Sequence, residues 1–169
     1  MSLLSAMELC ICGKFELPYV DLRGISHMIS VQTPNALHGE LRPPHIPKDH
    51  YLYLRFSDTE DVKEKGAPEV EDMRTLEGWL GRQSDVVNLL VHCDAGMSRS
   101  PAVALLAVLR LTSLSPADAM DFVSSCASSK HIWPNLLVLK TGDQVFGYER
   151  AAFKVAAEWM QSRAAFGIS

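Results

Sequence analysis

The segment from residue 86 to residue 111 constrains the fold of this chain more than any other. An apolar run at 86–91 (VVNLLV) is followed by ten small or polar residues at 92–101 (HCDAGMSRSP) and then by an alanine-rich apolar run at 102–111. A short apolar run next to turn residues is typical of a buried strand, and a longer one of a helix. The sequence therefore predicts a strand, a tight loop and a helix in direct succession. Ser100 and Pro101 suit the N-cap and the first position of that helix.

The predicted loop carries the residue types of an anion site with its own nucleophile. Cys93 is followed after five residues by Arg99. Backbone N–H groups of such a loop and the positive end of the helix bind anions, and the same field stabilises the reactive thiolate form of cysteine. A planar guanidinium can hold two phosphate oxygens at once. Gly96 suits a position that approaches the ligand closely or takes a positive φ.

This run resembles the signature H-C-x-x-G-x-x-R-S/T of the cysteine-dependent protein tyrosine phosphatase superfamily. Every fixed position of that pattern is filled here, by His92, Cys93, Gly96, Arg99 and Ser100. A small, dual-specificity-like, bacterial type is the most similar class. The resemblance extends over roughly residues 8 to 147, but its specificity resides almost wholly in residues 92–100.

The resemblance implies a phosphomonoester hydrolase that forms a phosphocysteine at Cys93, without a metal or another cofactor. It also implies that Ser100 hydrogen-bonds the departing thiolate and that His92 orders the loop. Inorganic phosphate or sulfate is expected to occupy the loop. The expected phosphate-binding residues are those between the nucleophile and the helix, namely Asp94, Ala95, Gly96, Met97, Ser98 and Arg99.

Cleavage of a phosphate ester also needs a proton for the leaving oxygen. In the superfamily an upstream aspartate supplies it, and here the loop at 57–68 offers Asp58 and Asp61 directly after a predicted strand. Groups at the carboxyl ends of parallel strands converge on one crevice. Asp58 is preferred because it sits at the strand end and follows Phe56-Ser57 as the family pattern expects, and Asp61 is kept as the alternative.

A downstream segment at 131–135 (HIWPN) resembles the superfamily's R-x-I-x-P-N pattern, with His131 in place of the usual arginine. The resemblance assigns Asn135 an architectural role in tying loop backbone. Helix is expected to follow from Pro134 to about Gly147.

The pattern of elements predicts the fold class. Strands alternate with helical segments early in the chain, and helices cluster late, which favours a mostly parallel sheet covered on both faces. We expect one α/β domain over residues 1–169, a three-layer α/β/α arrangement with about four to five strands. The predicted strands are 8–12, 27–31, 50–56 and 86–91, and the predicted helices include 14–24, 69–82, one that starts at Ser115-Pro116 and a last one around 153–160.

Composition and charge limit the kinds of partner that the chain is expected to bind. With a net charge of −4 and a pI of about 5.8, the chain is a poor candidate for binding nucleic acid or a membrane surface. No apolar stretch approaches the roughly 18 residues of a bilayer span, and no secretory signal is evident, so a cytoplasmic location is expected.

The four cysteines indicate a reduced protein with one reactive thiol. Cys10 and Cys12 are expected on opposite faces of the first strand, which disfavours a metal clip or a disulfide between them. Whether Cys126 could resolve an oxidised Cys93 depends on the fold.

Asp94 places a negative charge in the loop, where lysines would suit a substrate that carries several phosphates. This residue and the acidic pI disfavour phosphoinositides and RNA ends. The expected substrate is a single phosphate on a protein side chain or a small metabolite. Two alternatives stay open: a rhodanese-like sulfurtransferase or arsenate reductase, and a phosphate-binding module without catalysis.

Overall fold

The four strands of the computed structural model form one parallel sheet. The structure describes residues 7–37, 39 and 41–165. Within them the strands follow the order β1-β4-β2-β3, and every neighbouring pair is parallel. The predicted α/β sheet is thereby confirmed. Its strands are β1 (Glu8–Gly13), β2 (His27–Gln32), β3 (Tyr51–Arg55) and β4 (Asn88–Cys93).

The register of the sheet positions the end of β4 at its centre. β4 lies between β1 and β2, with Cys93 opposite Gly13 and His92 opposite both Cys12 and Ser30. The loop that follows Cys93 therefore leaves the sheet between two neighbouring strand ends. In open parallel sheets this edge is where ligands bind.

One face of the sheet is covered by α-helices. The helix α2 runs through the main core, and its residues from Arg99 to Val108 are all buried. Ile11, Ile29 and Val91 of the sheet belong to the same apolar cluster. The five helices in the described residues are α1 (Val70–Leu80), α2 (Arg99–Leu111), α3 (Pro116–Cys126), α4 (Leu136–Phe146) and α5 (Ala151–Ala165). None of these helices is long and apolar enough to cross a bilayer.

The opposite face is covered by short turns and loop. Leu17 and Ile46 pack there against Met28 and Leu90 in a second apolar cluster. The helix predicted at 14–24 is instead two separate 3₁₀ turns, Leu17–Tyr19 and Leu22–Gly24, and a third turn, Lys48–His50, precedes β3. This layer is mostly irregular because prolines are frequent in it, and proline interrupts regular backbone pairing.

The ends of two elements around the signature loop differ from the prediction. β4 starts two residues later than expected and includes both His92 and Cys93. The helix α2 begins at Arg99 with Ser98 as its N-cap, so Ser100 is a helical residue and not the cap. Ser98 makes no side-chain capping bond, and its hydroxyl donates to Asp58.

Other helix boundaries follow their sequence signals more closely. Ser115 caps α3, with Pro116 in the first turn. α4 begins at Leu136, two residues after the expected start at Pro134, with Asn135 as its N-cap. It ends at Phe146, and Gly147, with φ of +72°, is its C-cap.

The prediction for Cys10 and Cys12 was wrong. Residues two apart in a strand point to the same face, and both side chains lie on the turn-covered side of β1. A hydrogen bond with Cys12 lowers the pKa of Cys10 to about 7, against the opposing effects of burial and of Glu16. All four cysteines are free thiols.

Candidate active site

Cys93 is the last residue of β4, and its side chain is only 1% exposed. Its Sγ accepts a hydrogen bond from the Gly96 amide at 3.2 Å and lies 3.2 Å from the Ser100 hydroxyl. One contact comes from the loop and the other from the first turn of α2. The sulfur therefore sits within donors that can stabilise negative charge on it.

The loop reaches this shape only with glycine at position 96. Gly96 has φ of +73°, and a Cβ there would lie 2.5 Å from the Cys12 carbonyl carbon and 2.5 Å from the Gly13 nitrogen. The loop is thus pressed against the end of β1. The Lys14 amide adds to this contact by donating to the carbonyl oxygens of Cys93, at 2.9 Å, and Asp94, at 3.2 Å.

Arg99 lies behind the loop and is 3% exposed. Its Nη1 donates to the Phe56 carbonyl oxygen at 3.0 Å, and its Nη2 donates to Asp94 Oδ2 at 2.6 Å. The first contact fixes the guanidinium to the chain just after β3, where the predicted acid loop begins. Sequence patterns give no sign of this role for Phe56, because a backbone carbonyl belongs to every residue.

Asp94 is held between two cations. Besides Arg99, the Lys14 Nζ lies 3.1 Å from Asp94 Oδ1. Burial opposes ionisation of Asp94, but the hydrogen bonds from Arg99 and Lys14 outweigh it and lower the pKa of the carboxyl. An ionised carboxylate is therefore paired with the guanidinium that is expected, from the sequence, to bind phosphate.

Asp58 lies next to the loop and is anchored from two sides. Its Oδ1 accepts hydrogen bonds from the Ser98 hydroxyl at 2.7 Å and from Asn135 Nδ2 at 3.0 Å. Asn135 also donates to the Thr59 carbonyl at 3.1 Å, and its Oδ1 accepts from the Val138 amide at 3.0 Å as the cap of α4. One buried amide side chain thus joins the acid loop to α4.

Asp61 makes its contacts inside its own loop. Its Oδ1 accepts from the Lys63 amide at 2.9 Å, and its own amide donates to the Thr59 hydroxyl at 3.1 Å. This is the arrangement of an exposed turn carboxylate.

The rim of the loop is formed by side chains that the sequence only partly indicated. Ala95 and Met97 are exposed, Met97 to 38%. The amide of Trp133, a residue 51% exposed, donates to the Met97 carbonyl at 2.7 Å, and the Asn135 amide donates to the Ser98 carbonyl at 3.1 Å. The pattern at 131–135 marks the Pro-Asn pair of this segment, but it gives no signal for a role of Trp133.

His92 is fully buried beneath the loop on the turn-covered face. Its Nε2 lies 2.6 Å from the Ser30 hydroxyl on the neighbouring strand. Burial is the main reason that the pKa of His92 falls to about 4. The imidazole is therefore neutral near pH 7, which agrees with an ordering role and not with proton transfer.

Comparison with known proteins locates this arrangement among solved structures. No protein-family model matches the chain, and no curated protein matches it by sequence. Solved structures do match: DUSP15, with 20% identity over 90% of each chain and a TM-score of 0.55, and the Cydia pomonella PTP-2 phosphatase, with 16% identity over 81% of this chain and 84% of that one and a TM-score of 0.56. The human tyrosine phosphatase-like serine/threonine/tyrosine-interacting protein matches with 22% identity over 82% of this chain and 85% of its own, at a TM-score of 0.51. The chain therefore has the fold of the dual-specificity and protein tyrosine phosphatases, as the signature resemblance predicted.

Proposed function

We propose that the protein is a phosphomonoester hydrolase of the protein tyrosine or dual-specificity phosphatase type, which acts through a phosphocysteine intermediate. The observation that carries the proposal is the convergence of three groups. Cys93 ends β4, Arg99 begins α2 and Asp58 lies in a separate loop. The Ser98 hydroxyl donates to Asp58, and Arg99 donates to the Phe56 carbonyl, so direct hydrogen bonds connect the signature loop to the chain that follows β3. A nucleophile, an anion-binding group and an acid at one edge of a sheet are the parts that phosphoryl transfer requires.

In the first step, the Cys93 thiolate attacks the phosphorus in line with the leaving oxygen. A sulfur–phosphorus bond forms and the phosphorus–oxygen bond to the leaving group breaks. The loop amides and the Arg99 guanidinium hold the three equatorial oxygens, on which charge is spread in the transition state. The Gly96 amide and the Ser100 hydroxyl, each 3.2 Å from the sulfur, support the thiolate before attack.

Asp58 supplies the proton for the leaving oxygen. Both of its observed hydrogen bonds go to Oδ1, and in this proposal Oδ2 carries the proton. In the second step, the ionised Asp58 takes a proton from water, which attacks the phosphocysteine. The sulfur–phosphorus bond then breaks, phosphate leaves, and Ser100 donates to the departing thiolate. The contacts of Asp61 within its own loop make it the weaker choice for the acid.

The substrate class follows from the charges around the loop. Arg99 is already paired with Asp94, whose carboxylate adds negative charge next to the phosphate position. Additional phosphates on a substrate would meet that charge, so a phosphomonoester with a single phosphate is favoured. The exposed side chains of Met97 and Trp133 offer apolar surface at the rim, which suits a phosphorylated protein side chain.

Trapping the covalent intermediate tests the proposal. In Asp58→Ala the second step lacks its base, so para-nitrophenyl phosphate, whose leaving group needs little acid assistance, should load phosphate onto Cys93. Acid quenching followed by peptide mass spectrometry would detect the adduct on the peptide that contains Cys93. Cys93→Ser serves as the matched control and should lack the adduct. Phosphate binding without any adduct would favour a binding module, and a persulfide on Cys93 after thiosulfate would favour a sulfurtransferase.

A further inference from the structure

Three metal-ligand side chains meet at the edge of the sheet opposite Cys93. His27 begins β2, His50 ends the 3₁₀ turn before β3, and Asp85 lies in the loop before β4. One potential ligand atom from each lies within 4.8 Å of the other two. The amino ends of parallel strands share an edge, so the cluster is separated from the signature loop by the length of a strand, roughly 16 Å for β2.

His27 brings an unsatisfied nitrogen to this cluster. The residue is 0% exposed, and its Nε2 makes no well-aligned hydrogen bond among the described residues, with the Gln83 side chain nearby. A buried polar atom without a partner is rare, and a ligand is one of its common explanations.

The Ser26 hydroxyl contacts the other ring nitrogen of His27, Nδ1, at 2.9 Å. The same hydroxyl donates to the Asn88 carbonyl at 3.0 Å and accepts from the Asn88 amide at 3.0 Å. With its hydrogen directed at Asn88, the hydroxyl accepts from Nδ1–H, and this arrangement leaves the lone pair on Nε2 for a ligand. Fixing one ring nitrogen so that the other can ligate is what outer-sphere partners do in metal sites.

The second imidazole is oriented by stacking. The rings of His27 and His50 lie 4.1 Å apart between centroids with planes inclined by 13°, and Trp79 packs edge-on against His27. The exposed Asp85 adds a negative charge on the solvent side. A cavity of about 590 Å³ adjoins the cluster and is lined in part by His50, Trp79 and Asp85.

We propose that His27, His50 and Asp85 bind a divalent transition-metal ion of the zinc class. Two imidazoles and one carboxylate form a borderline donor set, which favours zinc-like ions over Mg²⁺ or Ca²⁺. The fourth position is filled by water from the adjoining cavity. Ligands of a tetrahedral zinc ion lie roughly 3.4 Å apart, so ligand atoms that lie up to 4.8 Å apart close by roughly 1.4 Å on binding. A ligating lone pair lies in the plane of its imidazole ring, so the half-buried His50 ring also turns out of its nearly parallel stack on His27. The exposed Asp85 has the freedom to make its part of the movement.

The ion would join the starts of three strands. The residues it links precede or begin β2, β3 and β4, so binding stabilises the folded state over the unfolded chain. The cluster lies at the opposite edge from Cys93, and its role is structural. The proposal is therefore independent of the phosphatase chemistry.

Calorimetric titration of the chelator-treated Cys93→Ser protein with Zn²⁺ tests the site while leaving out the reactive thiol. We expect one ion per chain and a rise in melting temperature that Mg²⁺ does not reproduce. His50→Ala and Asp85→Asn should each weaken Zn²⁺ binding at least about tenfold. Asp85→Asn replaces an exposed side chain with one of the same size, so its fold is retained and can be checked by circular dichroism.

His45→Ala is the matched control, since His45 is exposed, lies in the same segment as His50 and is not a member of the cluster. It should bind Zn²⁺ as the parent does. Substitution of Co²⁺ identifies the ligand class, because thiolate ligation gives an intense near-ultraviolet charge-transfer band that imidazole and carboxylate do not. Absence of binding, unchanged affinity in both variants, or a thiolate band would each overturn the proposal.

Discussion

The Asp58 carboxylate and the Ser98 hydroxyl are joined by a hydrogen bond of 2.7 Å, so the proposed acid is attached to the loop that follows Cys93. Asn135 completes the connection by donating to the same oxygen from the start of α4. The position of the acid relative to Cys93 is therefore determined by side chains and not only by the course of its own loop.

Removal of the Asn135 donor should weaken acid catalysis. Asn135→Ala is expected to lower kcat by roughly ten- to a hundredfold, because a displaced acid no longer reaches the leaving oxygen. The loss should be larger for phenyl phosphate than for para-nitrophenyl phosphate, whose leaving group needs less protonation. Steady-state kinetics on both substrates measures the difference.

A variant that keeps the helix cap separates this effect from stability. Asn135→Asp can still accept from the Val138 amide but cannot donate to Asp58. It should fold with a capped α4 and still lose activity. Asp61→Ala should stay within about twofold of the parent in kcat. An Asn135→Asp protein with parental kcat on both substrates would show that the contact is not needed.

The ion pair between Asp94 and Arg99 should weaken substrate binding. The bound carboxylate competes with phosphate for the guanidinium, so Asp94→Asn is expected to lower KM by roughly fivefold, equivalent to about 1 kcal/mol. The inhibition constant for inorganic phosphate should fall in parallel. Initial-rate measurements at low and high salt would check this, and the difference should shrink as salt screens the charges. An unchanged or higher KM would mean that Asp94 orients Arg99 productively.

Glycine at position 96 should be essential to the loop. In Gly96→Ala the new Cβ would overlap the backbone of Cys12 and Gly13 at 2.5 Å, in addition to the strain of φ at +73°. We expect a loss of more than about 2 kcal/mol in the free energy of unfolding, together with loss of activity. Denaturant unfolding measures the first quantity.

Gly147→Ala separates the strain of a positive φ from the steric overlap of a new Cβ. Gly147 has φ of +72°, but its added Cβ would meet nothing within 4 Å. Its cost should be limited to about 1 kcal/mol of backbone strain, with activity unchanged. Equal destabilisation in the two variants would contradict a clash at Gly96.

His92 should make the protein less stable in mild acid. Its folded pKa of about 4 lies below its ordinary value of 6.5, so the unfolded state binds the proton more readily. The stability that this difference contributes is present above pH 6.5 and is lost as the pH falls through 4. The full effect amounts to about 3 kcal/mol.

Denaturant unfolding of the parent and of His92→Gln across this pH range isolates the contribution of His92. The parent should lose stability more steeply than the variant on acidification. His131→Gln, at an exposed histidine, should follow the parent. Identical pH dependence in the parent and in His92→Gln would exclude the buried imidazole as the cause.

The fold was predictable because its signals are local. The strand that leads to Cys93, the cap at Ser115 and the end at Gly147 each follow from a short pattern with a physical reason. The predicted elements differ from the observed ones where contacts between residues far apart in the chain outweigh local sequence preferences. Ser98, not Ser100, is the N-cap of α2, and its hydroxyl donates to Asp58, forty residues away in the chain. Two 3₁₀ turns lie at 17–24 in place of the predicted helix because this segment packs against the sheet.

The candidate site was predictable only in the residues that a pattern marks. Cys93 and Arg99 belong to one continuous motif, but the contact of Arg99 with the Phe56 carbonyl joins residues 43 apart. No sequence pattern relates His27, His50 and Asp85, which lie in three segments and meet only because parallel strands start at one edge. Side chains brought together by topology alone need the structure to be found.

We propose Cys93 as the nucleophile of a metal-independent phosphatase. Hydrolysis of para-nitrophenyl phosphate by reduced protein, with chelator present and from about pH 5 to 7.5, tests it most directly when wild type is compared with Cys93→Ser and Asp58→Ala. We expect turnover that the chelator does not reduce and that Cys93→Ser abolishes. The decline of this turnover at higher pH should disappear in Asp58→Ala. No turnover by folded, reduced wild type, or turnover retained by Cys93→Ser, would contradict the proposal.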